Sequence, residues 1–481
     1  MNIKLIARYI GIALLFNALF MFLSLGVSAL NGFDSSFSPL LLSALITAMV
    51  GCFPLIFVRG QDDVNLREGF AITIFSWILS CIFGMLPYVM WGGEFTLPNA
   101  WYESVSGYTT TGGTILQNVE ALPKGLLFWR SSTHFIGGMG VMVFMLLVLP
   151  SMSTFRMRIS KIEISSISKD NYRYRSKETV RVIASTYVGI TVAGTIALMV
   201  AGMSFFDAVN HAMSIVSTGG FSTRNLSILY YDSLPIEIVC IVFMYISTLH
   251  FGMVYALIVK RSTALLKSPV FRYFAGFCIV MSLLIGLDLK ASGQIATYGE
   301  AMRQSFFQYA SVISSTGFAT ADTSVWPLFS IFLLLFAMFH GGCSGSTCGG
   351  VKADRMWIFY KVLKNNIFKQ LHPNAVIPVK VGDHTIEPSV IRSAILYIVA
   401  FTLIFIVGVL LISLTGPDFE ESFAASLTSM GNVGPGLGAS GSMGNFSHFT
   451  PFAKVVMTIE MLLGRLEIYS LLMLFFIFKK V

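Results

Sequence analysis

Long apolar runs, each bounded by a few polar residues, recur from one end of the chain to the other. They cover about 5–30, 38–58, 69–91, 124–150, 179–203, 234–260, 270–291, 327–360, 391–414 and 451–478. Each is long enough to cross a hydrocarbon core of ~30 Å at about 1.5 Å per helical residue. The pattern predicts an all-α integral membrane protein with about ten transmembrane helices. The first run follows Lys4 and Arg8. It is longer than the apolar region of a signal peptide and lacks a small-residue cleavage site, so it reads as a retained span.

Between pairs of these runs lie segments too short and too polar to cross. The first contains Tyr108-Thr109-Thr110-Thr111-Gly112-Gly113-Thr114. Related segments are Val216-Ser217-Thr218-Gly219-Gly220-Phe221-Ser222, Ile313-Ser314-Ser315-Thr316-Gly317-Phe318-Ala319 and Met430-Gly431-Asn432-Val433-Gly434-Pro435-Gly436. Aligned on Gly112, Gly220, Gly317 and Gly434, they recur every hundred residues or so, which marks duplicated units. Thirteen positions before each glycine stand Asn99, Asp207, Gln304 and Glu421, and six before it Ser106, Ser214, Ser311 and Thr428. A polar residue opening a stretch of about ten that ends at glycine reads as a short capped helix with its C-terminus at the loop.

Backbone that leaves the helix at membrane depth must be buried in protein or face water, because lipid offers it no hydrogen bonds. Four such loops therefore line a pore. Serine, threonine and glycine leave the backbone uncrowded, and glycine adopts the dihedrals that aim successive carbonyls at an axis. Rings of oxygens replace a cation's hydration shell, and helix C-termini pointing inward favour cations again. The ion-binding candidates are Thr110, Thr111 and Gly112; Thr218, Gly219 and Gly220; Ser315, Thr316 and Gly317; and Asn432, Val433 and Gly434. Small-residue helix packing accounts for one such motif, but not for four in register.

Composition agrees with a bilayer: 55% of the 481 residues are hydrophobic and 12% charged, and mean hydropathy is +0.75. The net charge of +8 lies in alternate connections. Arg59 and Arg67, the cluster from Arg156 to Lys177, Arg261 and Lys267, and Lys352 to Lys380 put every crossing in phase with cytoplasmic termini. Nucleic acid is not needed to explain the basic excess. The six cysteines fall in apolar or glycine-rich stretches and predict no disulfide scaffold, and Cys343 with Cys348 lacks a second ligand pair for a metal.

Two features break the repeat. The eighth span is interrupted by His340-Gly341-Gly342-Cys343-Ser344-Gly345-Ser346-Thr347-Cys348-Gly349-Gly350, a glycine content that disfavours a straight helix. An unwound segment at this depth is a candidate gate just inside the filter. It lacks the GxxxxGK[ST] pattern and the preceding strand of a phosphate loop. Arg465 lies mid-span, where a charge must face water or a partner; it reads as a barrier in the conduction path, with a structural ion pair to Glu467 or Glu460 as the alternative. His134, His250 and His340 read as packing or backbone-bonding residues, and Glu103 either attracts cations or solvates the short helix.

These motifs, together with Trp129-Arg130-Ser131 and Gly137-Gly138-Met139-Gly140, resemble the Trk/Ktr/HKT superfamily of potassium transporters over essentially the whole length. The two spans before the first repeat fit its Trk branch. The resemblance implies potassium uptake through a selective, gated, channel-like pore in a bacterial inner membrane, or symport coupled to H⁺ or Na⁺, and no enzyme activity. It implies K⁺ preference from glycine in all four loops, an intramembrane gate at Gly341–Gly350 and a barrier at Arg465. One departure is Gly113, where alanine is common. The implied partners are a second copy, in a homodimer, and a cytosolic nucleotide-binding regulatory subunit of the TrkA type. The expected units are an N-terminal two-helix region at 1–66 and pore repeats at 67–177, 178–268, 269–388 and 389–481.

Overall fold

The computed structural model describes residues 2–58, 65–148, 176–375, 377–382 and 384–474. Apart from a two-residue antiparallel pairing of Lys380–Val381 with His384–Thr385, the described regular structure is helical. Among the described residues, six helices are long and apolar enough to cross a membrane: Ile3–Leu30, Phe37–Phe57, Arg67–Trp91, Arg181–Val200, Pro269–Ala291 and Pro388–Ser413. The last four are the outer helices of four repeats. Each repeat continues with a short pore helix, Leu97–Tyr108, Phe205–Ser217, Tyr298–Ile313 or Phe419–Gly431.

The inner helices that complete the repeats depart from the expected spans. The first, Lys124–Val148, is continuous. The second, expected as one span over 234–260, is two helices, Leu234–Ser247 and Phe251–Ile258, set at 112°. The third stops at His340 and resumes as Ala353–Leu371, so the expected interruption is observed. The fourth, expected continuous over 451–478, ends at Arg465; Leu466 and Glu467 break it before Ile468–Leu472, with Glu467 at φ +57°. The basic residues Arg59, Arg156–Arg175, Lys479 and Lys480 lie outside the described residues.

The first two helices form a tight hairpin because Gly11 and Gly51 face each other, and a Cβ on either would press on the other's carbonyl. Asn17 Nδ2 donates to Ser80 Oγ at 2.8 Å, tying this hairpin to the outer helix of the first repeat through a buried polar bond. At the opposite end Asp34 makes a second tie. Its Oδ1 accepts from Ser28 Oγ at 2.5 Å, from Ser36 N at 3.1 Å and from the Ser36 hydroxyl, while Oδ2 accepts from Gly125 N at 3.2 Å, at the start of the first inner helix.

Burial alone would raise the pKa of Asp34, but these four bonds outweigh it and hold the carboxyl below its ordinary range. Its contribution is therefore full above the unfolded carboxylate value and lost as pH falls through the lower folded one. Asp34→Ala should cost about 1–3 kcal/mol of stability, read as a lower melting temperature in detergent. The difference from the native chain should shrink on acidification; a constant difference would remove the carboxylate from the account.

Candidate functional site

The four pore helices end in one way. The residue two before the aligned glycine is left-handed in every copy: Thr110 at φ +52°, Thr218 at +57°, Ser315 at +57° and Asn432 at +51°. The next amide turns back to a carbonyl five residues earlier, from Thr111 N to Ser106 O at 2.9 Å, Gly219 N to Ser214 O at 2.8 Å, Thr316 N to Ser311 O at 2.9 Å and Val433 N to Thr428 O at 3.0 Å. This closure stops a helix and satisfies its last carbonyls. The chain then extends through Gly112, Gly220, Gly317 and Gly434, at φ +84°, +84°, +77° and +103°, values only glycine adopts cheaply.

The four glycines are also locked to one another. A Cβ on Gly112 would overlap the Gly219 carbonyl oxygen, one on Gly220 that of Thr316, one on Gly317 that of Val433, and one on Gly434 that of Thr111. Each glycine thus packs on the carbonyl just before the glycine of the next repeat, and the fourth returns to the first. The cycle closes. All four glycines line one cavity, with Arg130 and Arg224 on its wall. Both cations are neutralised, Arg130 by Glu103 at 2.8 Å and Arg224 by Asp207 at 3.1 Å, and they stack on Phe221 and Tyr230.

Side chains brace this backbone from behind. Ser106 Oγ donates to Gly113 O at 2.6 Å, Ser214 Oγ to Phe221 O at 2.8 Å and Ser311 Oγ to Phe318 O at 2.6 Å. In the fourth repeat Thr428 Oγ1 has no partner among the described residues. There the loop is held sideways, by Asn432 Nδ2 donating to Thr111 Oγ1 and to Met461 O, both at 3.0 Å. Gly113 is small because the Tyr102 hydroxyl and the Phe446 ring occupy the space a Cβ would take. The Gly137-Gly138 pair of the first inner helix lies against Tyr108 O and Ser217, so that helix approaches two pore-helix ends.

Beneath the ring lies the loop from Gly341 to Lys352. Thr347 Oγ1 donates to Val216 O at 3.0 Å, Cys348 Sγ to Ser314 O at 3.1 Å and Gly349 N to Ser315 Oγ at 3.2 Å. A Cβ on Gly349 would strike Gly431 O. The loop therefore touches the ends of three pore helices. It also completes the bend of the second inner helix, since Cys343 N donates to Thr248 O at 2.9 Å and Phe251 N to Gly345 O at 3.2 Å. Ser344 N donates to Asp354. Gly342, Ser346 and Gly350 fill the tight interior, where Gly350 packs on Gly341 and Ser346 Oγ donates to Cys343 O at 2.6 Å.

Arg465 is 4% exposed and its Nη1 donates to Thr347 O. Nε and Nη2 have no partner among the described residues. The two carboxylates close to it in sequence are engaged elsewhere, Glu467 by Arg355 at 3.0 Å and Lys352 at 3.8 Å, and Glu460 by Ser426 at 2.6 Å.

The family model for TrkH, described as a cation transport protein, matches residues 43–480. The chain belongs to the TrkH family. It is 36% identical over 420 residues to the Trk system potassium uptake protein TrkH of Salmonella typhimurium, covering 87% of this chain and 86% of that one. It is 32% identical over 479 residues to TrkH of Halomonas elongata, covering 99% and 98%. The crystal structure of the potassium transporter TrkH from Vibrio parahaemolyticus superposes with a TM-score of 0.90 at 30% identity, over the whole of both chains.

Within this TrkH-family chain, the polar residues thirteen before the glycine do not open the pore helices. The caps are Thr96, Ser204, Thr297 and Asp418; Asn99, Asp207 and Glu421 sit three residues further in, and Gln304 seven, because the third pore helix is a turn longer. A different register position was missed. Nine before the glycine stand Glu103, His211, Gln308 and Ala425. Glu103 accepts from Ile115 N and Thr114 Oγ1 at 3.0 Å, His211 Nε2 bonds Ser222 Oγ at 2.9 Å, and Gln308 Nε2 donates to Ala321 O at 3.0 Å. Glu103 is thus saturated and fully buried, a brace with no free charge. The signal was three polar residues at one offset in otherwise small or apolar stretches.

His134, His250 and His340 are packing or hydrogen-bonding residues. His134 stacks on Phe221 with centroids 4.0 Å apart, its ring filling the space beside Gly219; His250 Nδ1 accepts from Gly252 N at 3.1 Å; His340 Nε2 bonds the Tyr273 hydroxyl at 3.1 Å.

Removing one brace leaves a buried carbonyl unpaired, at about 1–3 kcal/mol. Ser214→Ala and Ser311→Ala should therefore weaken discrimination of K⁺ from Na⁺ in reconstituted flux, whereas Thr428→Ala, which breaks no such bond, should leave it close to native. Equal effects at all three positions would contradict the assignment.

Proposed function

We propose that this chain takes up potassium across the cytoplasmic membrane of a bacterium through a selective, gated, channel-like pore. The closed cycle of glycine-on-carbonyl contacts is the observation that carries this reading. With no side chain able to enter it, the cycle leaves backbone oxygens of Thr110, Thr111, Thr218, Gly219, Ser315, Thr316, Asn432 and Val433, with the four glycines, as the groups that replace water around the cation. Inward-pointing pore-helix C-termini add favourable potential. Each repeat, from 67, 178, 269 and 389 onward, supplies one quarter of the ring, and the hairpin before residue 67 lies outside it.

The loop Gly341–Gly350 acts as the gate. It hangs from the pore-helix ends by single hydrogen bonds to carbonyls and a hydroxyl, an arrangement that can be exchanged for water when the loop moves. Arg465 acts as the barrier. Its guanidinium binds the gate loop through Thr347 and keeps two nitrogens free for water, so a positive charge stands below the ring when the loop is in place. Membrane potential drives entry, at about 2.3 kcal/mol per charge for each 100 mV. The buried carboxylates beside the ring, Glu103 and Asp207, are tied to arginines, which favours uncoupled passage over symport with H⁺ or Na⁺.

With both termini cytoplasmic, the helix Ala353–Leu371, which continues directly from the gate loop and carries Arg355, Lys361, Lys364 and Lys369, faces the cytosol. It is the surface through which a nucleotide-binding subunit of the TrkA type would pull on the gate, in a homodimer of pore chains.

Uptake of ⁸⁶Rb⁺ into proteoliposomes containing this chain and its nucleotide-binding partner should follow an imposed potential and be unaffected by a pH or Na⁺ gradient. Flux that requires either gradient would support coupled symport instead. Arg465→Ala should raise uptake several-fold in folded protein, and unchanged flux would remove the arginine from the conduction path.

A further inference from the structure

Buried charges along the spans are mostly paired: Glu103 with Arg130, Glu237 with Arg303 and Glu467 with Arg355. Glu460 is different. It lies in the middle of the helix Pro451–Arg465, is 3% exposed, and has no cation against it among the described residues. Its Oε1 is 2.6 Å from Ser426 Oγ, and Oε2 has no partner among the described residues. Ser426 Oγ is also 3.0 Å from the carbonyl oxygen of Phe405.

Counting hydrogens fixes the protonation of this group. A hydroxyl has one proton, a backbone carbonyl only accepts, and an ionised carboxylate only accepts. Ser426 therefore cannot donate to both neighbours. If its proton goes to Phe405 O, the 2.6 Å contact needs a proton from Glu460. If it goes to Glu460, the serine oxygen faces the Phe405 carbonyl unbridged, and a carboxylate with one hydrogen bond, one bare oxygen and no counterion sits inside the membrane, the costliest state available to it.

We propose that Glu460 is a proton-binding site, occupied as a neutral carboxylic acid that donates from Oε1 to Ser426 Oγ while Ser426 donates to Phe405 O. The unpartnered Oε2 is then the carbonyl oxygen of the acid, which tolerates isolation far better than an anionic oxygen. Gly408 is part of the site, because a Cβ there would overlap Oε1.

Among the described residues, no packed element supplies a competing charge. The outer helix Pro388–Ser413 has no titratable residue beyond Tyr397 on the stretch facing the site. On the fourth pore helix Glu420 and Glu421 stand at the far end, where Glu421 bonds His448 at 2.7 Å. The first pore helix offers Tyr102, Tyr108 and Glu103, the last held by Arg130. On its own helix Lys454 donates to Asn99 Oδ1 at 2.7 Å and to Ser447 O at 3.0 Å, and Arg465 to Thr347 O.

The proton has a place in the architecture. The fourth pore helix lacks both braces of the other repeats, with Ala425 at one position and, at the other, Thr428, whose Oγ1 has no partner among the described residues. The relay from Glu460 through Ser426 to Phe405 joins inner, pore and outer helices of that repeat and holds the pore helix from behind. The site stands whichever ion the pore passes.

Infrared difference spectra of the full-length protein in liposomes at neutral pH, native against Glu460→Gln, test the site. A deuterium-sensitive carboxylic-acid carbonyl band should be present in the native protein and missing in Glu460→Gln. Because an amide keeps a donor at this position, uptake of ⁸⁶Rb⁺ by Glu460→Gln should stay within about twofold of native. Absence of the band from the native spectrum, or uptake lost in a Glu460→Gln protein of native melting temperature, would overturn the proposal. Ser426→Ala gives an independent reading that does not need the first variant to fold. Removing the acceptor should shift the acid band, and an unmoved band would equally overturn the assignment.

Discussion

The constraint on which this structure depends is that backbone outside a helix has no solvent inside a bilayer. Each break in the spans has to be answered by protein, and here the breaks answer one another. The bend at Thr248–His250 leaves a carbonyl and an amide that the Gly341–Lys352 loop takes up. That loop has its own free donors, which go to Val216, Ser314 and Ser315 at the ends of the pore helices. The pore helices close their own last carbonyls by left-handed residues and then pack glycine on carbonyl around a cycle. Ring and loop are thus one hydrogen-bonded body, and a displacement of the loop necessarily exposes groups at the base of the ring.

Fourfold likeness extends only as far as the ring needs it. Backbone conformation is the same in all four copies, but the supports differ. Three repeats use a serine brace and a polar side chain nine positions before the glycine; the fourth uses Asn432, bonded to the first repeat and to its own inner helix. The inner helices differ still more, being continuous, bent, broken by a long loop, and broken at Arg465. Under the proposed function, symmetry serves coordination of the ion, and departures from it serve attachment and movement of the gate.

Much of this was legible in the sequence because glycine and hydroxyl spacing report backbone geometry directly. The aligned glycines all take positive φ, and the residues six before them include the three serine braces. The interruption after His340 was legible for the same reason. What could not be read were features set by partners distant in sequence. The bend at Thr248–His250 lies within an apolar run, and its cause is a loop about a hundred residues away. Three of the helix starts were displaced by three residues because Asn99, Asp207 and Glu421 look like caps but face Lys454, Arg224 and His448. Glu103 was ambiguous until Arg130, Thr114 and Ile115 were seen to consume its oxygens.

Under the proposed function, the cycle of carbonyls before Gly112, Gly220, Gly317 and Gly434 is where the cation sheds its water. Anomalous diffraction from crystals grown with Rb⁺ or Tl⁺ in place of K⁺ tests it directly. Anomalous density is expected on the axis of the ring, level with the carbonyls of Thr111, Gly219, Thr316 and Val433. Ions bound elsewhere, with the ring empty at saturating Rb⁺, would contradict it.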